Sequence, residues 1–180
     1  MHKVILGSIE VLHELVQFIQ QLDDDSYSCS PLPLFNSPIG SHVRHILDIY
    51  QALMQSEHNF IDFDLRRRGA EVETKRLVAL KELVEIENWL MALDQTQFET
   101  VKIVKTEVCI SQQNSEKFTS TFGRELCFAS SHATHHLALL VAIAKSLNIS
   151  INGQLGIAPA TATFLRKQKQ ASEKNLTLIT

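Results

Sequence analysis

Apolar residues recur every three or four positions along four stretches of the chain. Over 4–22, Val4, Ile5, Val11, Leu12, Leu15, Val16, Ile19 and Leu22 share a face with Ser8, which predicts an amphipathic helix. Over about 38–56 the stripe is Ile39, Val43, Ile46, Tyr50 and Leu53. Ser37-Pro38 supplies the start signal there, a serine cap with proline at the first helical position. A third helix is expected over about 72–93, with Leu77, Leu80, Leu83, Val84, Leu90 and Met91 inward. A fourth, the most apolar, is expected over about 121–147, with Ser120 or Thr121 as its cap and Asn148 as its stop.

The pattern differs between these stretches. Residues 23–38 combine three acids with prolines and read as a loop. Residues 57–70 keep no period and also read as a loop. Residues 99–119 alternate and are rich in β-branched side chains around a polar SQQNS turn, so a small hairpin is expected before the last long helix. An Asn-Gly turn at 152–153 leads to GIAPATATFL, which can form a short helical turn on the bundle. The expected fold is all-α, a four-helix bundle with at most that hairpin. The expected organisation is one domain over 1–165 and a polar tail over 166–180.

Composition narrows the field. The chain has 180 residues, 44% of them hydrophobic, and a net charge of -3. That is long enough to bury a core without metals or disulfides as staples. Basic residues cluster only at Arg66–Arg68 and from Arg166 to Lys174, both read as solvated surface, so no nucleic-acid partner is expected. The cysteines, Cys29, Cys109 and Cys127, are odd in number, far apart and without C-x-x-C spacing, which fits a reducing compartment. With no long apolar run and no leader-like N-terminus, a cytoplasmic location with no membrane partner is expected.

The histidines carry the chemistry. In HATHH, His132 and His136 are i,i+4, about 40° apart on a helical wheel and roughly 6 Å apart along the axis. Two imidazoles so placed can converge on one ion. Leu139 and Ile143 continue that face, so it points inward, and a buried imidazole must find a partner. In SHVRH, His42 and His45 are i,i+3 on the second helix and could supply a third nitrogen. The wheel leaves the choice open and leans to His42. Three neutral imidazoles would leave a coordination position vacant, as open metal sites do. The bland alternative is a pair of core histidines bonded to backbone or side chains. Cys127 lies about 140° from His132 around the helix and reads as core. A ferritin-like di-iron site is excluded because only one Glu-x-x-His occurs, Glu10 to His13, and a zinc protease because H-E-x-x-H is missing.

At these residues the chain resembles the DinB/YfiT-like superfamily of four-helix metal proteins. The resemblance lies in SPIGSHVRHILDIY (37–50) and RELCFASSHATHHLALLVAIA (124–144), with the Tyr27 loop, FDLRRRGAEVET (63–74) and GIAPAT (156–161). It implies His45, His132 and His136 as metal ligands, with zinc or nickel the natural ion and iron(II) an alternative. His42, Asp48, Glu125 and His135 then become candidates for pocket or ligand-orienting roles, with surface contacts or salt bridges as the rival reading. The activities it implies include transfer of a low-molecular-weight thiol, thiol-dependent isomerisation, hydrolysis and iron-dependent sulfoxide chemistry. The expectation is therefore a metal-dependent transferase or hydrolase acting on a small molecule, for instance a thiol. The alternative is a non-catalytic bundle whose histidines are structural or bind a metal or partner without turnover. A homodimer is the default assembly.

Overall fold

The computed structural model describes residues 2–30 and 32–177. Four long helices form where the apolar period predicts them: α1 (Lys3–Gln20), α3 (Ile39–Met54), α4 (Arg76–Ala92) and α5 (Phe122–Ser146). Between α1 and α3 lies α2 (Asp24–Ser28), one short turn started by Asp23, whose side chain accepts from the Ser26 N–H. The helices α1 and α3 each pack against both α4 and α5, so they stand at opposite corners of a four-helix square. Phe18, Ile19, Ile39, Leu47, Leu83, Ile86, Leu137 and Leu140 fill the space between them.

The all-α expectation is corrected. Among the described residues, six α-helices stand with a three-stranded mixed sheet in the order β1-β2-β3. The hairpin of β2 (Val101–Glu107) and β3 (Ser115–Thr121) is antiparallel, but β1 (Phe60–Asp62) joins β2 in parallel, with Ile61 opposite Val104. β1 falls within the expected 57–70 loop, since three residues are too few to show alternation. Its approach is a left-handed pair, His58 and Asn59, at φ 48° and 61°. Both Ile61 and Val104 are buried, so the sheet closes one end of the helical core.

Other details shift as well. Pro38 is extended and sits just outside α3, so the helix begins at Ile39. On α4 the buried residues are Ala79, Leu83, Ile86 and Leu90, while Leu77, Val84 and Met91 are more than half exposed. The inner stripe is therefore narrower than the apolar positions suggested. Cys127 is exposed, not core. The wheel that excludes it as a ligand also turns it away from the buried face of α5. From Pro159 to Thr177 the chain forms α6, which takes in most of the polar tail; residues 178–180 lie outside the described residues.

Two joints place the functional face. Thr121 ends β3 and caps α5, its hydroxyl accepting from the Arg124 N–H, so strand and helix are fixed to one another. Gly40 in the first turn of α3 lies against the 3₁₀ turn Glu71–Glu73, where a Cβ would overlap the Glu73 carbonyl oxygen. That close approach seats the start of α3, which carries the half-buried His42 and His45. Tyr27 completes the seat by donating its buried hydroxyl to the Val72 carbonyl at 2.8 Å. α5 is long and apolar enough to cross a membrane by length and composition, and within the fold its Leu126, Leu137, Leu140 and Ile143 are buried in the core.

Candidate metal centre

His42 and His45 occupy the first two turns of α3, and His132 and His136 the middle of α5. The two helices pack directly, and the four rings meet at their interface. The Nε2 atoms of His45 and His132 are 2.9 Å apart. Ring centroids are separated by 5.0 Å for His45–His132, 4.8 Å for His45–His136 and 4.5 Å for His132–His136. One ligand nitrogen from each of His45, His132 and His136 lies within 4.8 Å of the others. Bonds of about 2.0–2.1 Å to a tetrahedral ion would draw such nitrogens to roughly 3.3 Å from each other. A modest closing of the three rings meets that geometry.

The remaining candidates fall into place around this trio. His42 faces it from the side, its Nδ1 3.3 Å from the Nδ1 of His136, and is not one of the convergent three. His135 is exposed, with its ring 5.5 Å from that of His136. Asp48 turns away from the histidines: its carboxylate accepts from Arg44 at 3.0 Å and from the Arg67 Nε at 2.7 Å. Glu125 is buried near the start of α5, where it accepts from the Ser120 hydroxyl at 2.6 Å. Neither acid is bonded to a ring. Elsewhere His2 accepts from the Val4 N–H at the start of α1, and His13 pairs with Glu87 at 2.7 Å.

Electrostatics keep the rings neutral. Burial, then the charge of Arg66, then His132 push the His45 ring down to about 3. Burial followed by His132, His45 and the other neighbouring rings does the same for His136, to about 3. Burial first, then His135 and Arg66, lowers His132, and burial with Arg44 lowers His42. A neutral imidazole is the form that binds a metal. Among the described residues, the hydrogen bonds of these four rings run only to one another. Backbone carbonyls do not tie them down, so nitrogen lone pairs remain to meet a cation.

Of the three arginines at 66–68, expected as solvated surface, one has an electrostatic effect on the rings. Arg66 is half-buried, and its charge bears on both His45 and His132. In the sequence it is one of three successive arginines, all read as solvated. Arg67 is instead anchored to Asp48 and to Glu82, the latter through two bonds of 3.0 and 2.9 Å. The only available signal was that three arginines next to Gly69 could not all face the same way.

No family model matches the chain, and no solved structure matches it. Among curated proteins it is similar to FK506-binding protein 5 of Rhizopus delemar, with 30% identity over 108 residues. The match takes in 60% of this chain and 28% of that protein, so the chain spans well under half of the relative's length. These findings correct the expected kinship with the DinB/YfiT-like superfamily, which none of the comparisons returns. The transferase or hydrolase chemistry inferred through it falls with it, since the relative is named for binding a ligand and not for thiol transfer or hydrolysis. The physical reason is that an i,i+4 histidine pair plus one distant histidine is a ligand geometry that unrelated helical proteins can reach. Such a site does not establish descent.

Proposed function

We propose that this chain is a divalent-metal-binding domain in which His45, His132 and His136 hold one ion, with at least one coordination position left for a further ligand. The observation that carries this is the convergence of three neutral imidazole nitrogens within 4.8 Å, from two helices, with no backbone acceptor among the described residues competing for them. Imidazole nitrogen suits zinc and nickel, and also iron(II). His42 and His135 stand beside the trio, where they would orient a ligand or an outer water. The test is metal content by mass spectrometry after purification without a polyhistidine tag. One ion per chain in the wild type, and a loss of at least about 90% in His132→Ala, is the expected result. Equal metal in both proteins contradicts the reading.

A second reading rests on the similarity to FK506-binding protein 5: the 108 matched residues carry FK506 binding in this chain too. A rise in melting temperature on adding FK506 supports it. An unchanged transition at saturating FK506 rejects it and leaves the metal reading untouched.

A further inference from the structure

A cleft of about 440 Å³ opens between the β2–β3 hairpin and the first turns of α5. Val104 and Phe118 are cross-strand partners in its sheet wall, and the buried Phe63 joins them. Glu125 and Phe128, three residues apart on α5, form another wall together with Arg124. A volume of this size suits a small organic ligand.

Two features leave the cleft unfinished. The first is aromatic. Phe63 and Phe128 pack with ring centroids 5.6 Å apart, while Phe118 remains 50% exposed. A flat carbon body laid among the three rings would cover that surface. The second is ionic. Glu125 is only 7% exposed, and its Oε1 accepts from the Ser120 hydroxyl at 2.6 Å and faces the Arg124 Nη1 at 3.5 Å. Its Oε2 has no hydrogen bond among the described residues. A buried carboxylate with a free oxygen calls for a further donor. The Arg124 side chain is 62% exposed and lies over the Phe128 ring at 5.7 Å. Among the described residues Glu125 is its one carboxylate within 4.0 Å, so most of its donors remain free for an anion.

We propose that this cleft binds a small aromatic zwitterion of the α-amino acid class. The ligand's ammonium meets Glu125, its carboxylate meets Arg124, and its ring lies among Phe63, Phe118 and Phe128. Such a ligand uses both charges of the cleft. A simple amine would be opposed by Arg124, and a simple acid by Glu125. Arg124 swings away from Glu125 to admit the ligand, which its exposure allows. No histidine lines the cleft, so the proposal does not rest on the metal reading.

The test is isothermal titration calorimetry on the full chain with L-phenylalanine, phenethylamine and phenylpropanoate. Phenethylamine lacks the carboxylate and phenylpropanoate lacks the ammonium, so these probes test the claim without altering the protein. Glu125→Gln keeps an acceptor for Ser120, and Arg124→Gln changes an exposed side chain. Both variants should fold, which circular dichroism checks. Expected is saturable binding of one L-phenylalanine per chain in the wild type, weaker by at least about tenfold in each variant. Each single-charge probe should bind the wild type at least about tenfold more weakly than L-phenylalanine. No saturable binding of L-phenylalanine overturns the proposal, and so does equal binding by the wild type and both variants. Either single-charge probe binding as tightly as L-phenylalanine overturns the zwitterion assignment.

Discussion

One turn of α3 separates two polar regions of opposite character. Arg44, Asp48, Arg67, Glu73 and Glu82 form a closed network in which every charge has an opposite partner. His42, His45, His132 and His136 form an open cluster whose hydrogen bonds, among the described residues, run from ring to ring. The first ties α3 to the 63–70 segment, the 3₁₀ turn and α4, and has no capacity left for a ligand. The second ties α3 to α5 and keeps lone pairs to spare. Polar burial that is fully paired reads as architecture; polar burial that is paired only with itself reads as a binding site.

The comparison can be broken most forcefully at Asp48. Asp48→Ala leaves Arg44 and Arg67 without their shared partner, at a cost of about 3 kcal/mol. Chemical denaturation should show that loss, and a change under about 1 kcal/mol would mean that the network is not what fixes α3. On the open side, His132→Ala should weaken zinc binding by about a hundredfold or more, since it removes one of three ligands. The metal-free variant should keep nearly the wild-type denaturation midpoint, because the ring supports little else. Competition with a chromogenic chelator measures the first and urea unfolding the second.

Acid gives the next largest effect. His45 and His136 are held at about 3 in the fold, against an ordinary value of 6.5. Below about 6.5 the unfolded chain takes up protons that the folded chain refuses, so folding becomes less favourable as pH falls. The metal-free protein should therefore hold a constant stability above that point and lose it steadily toward pH 3. A double His45→Leu, His136→Leu variant should show a flatter profile from urea unfolding at several pH values. Bound zinc should delay the loss in the wild type, because the ion excludes protons from the rings. The smallest effect is expected at His42, which flanks the trio without belonging to it. His42→Ala should change zinc affinity by no more than about tenfold, the low end for a neighbour that orients a ligand. A loss matching that of His132→Ala would move His42 into the ligand set.

α1 and α3 were legible because a period of 3.6 persists over sixteen or more residues in each, whereas in α4 the exposed Leu77, Val84 and Met91 blurred the stripe. The hairpin was legible through β-branched alternation around a polar turn. β1 was not, because its three residues are held by pairing with Ile103, Val104 and Lys105, some forty positions away. That long-range pairing is what turns a helical bundle into a mixed fold. The i,i+4 spacing of His132 and His136 announced a convergent pair, and the structure brings His45 rather than His42 to it. The wheel leaned the other way because both histidines lie near the edge of the α3 stripe, where a small rotation decides. The division of labour among Arg66, Arg67 and Arg68 was invisible, since it depends on where Asp48 and Glu82 sit in space. Asp48 is bound by Arg44 and Arg67 and Glu125 by the Ser120 hydroxyl, and both are buried rather than on the surface, which the helical wheel did not show.

The most direct measurement is anomalous scattering from crystals of protein purified without a tag or chelator. The account predicts a single strong peak between the imidazoles of His45, His132 and His136, within about 2.3 Å of each. Well-ordered rings that contact only one another, with no peak among them after soaking in zinc, would contradict it.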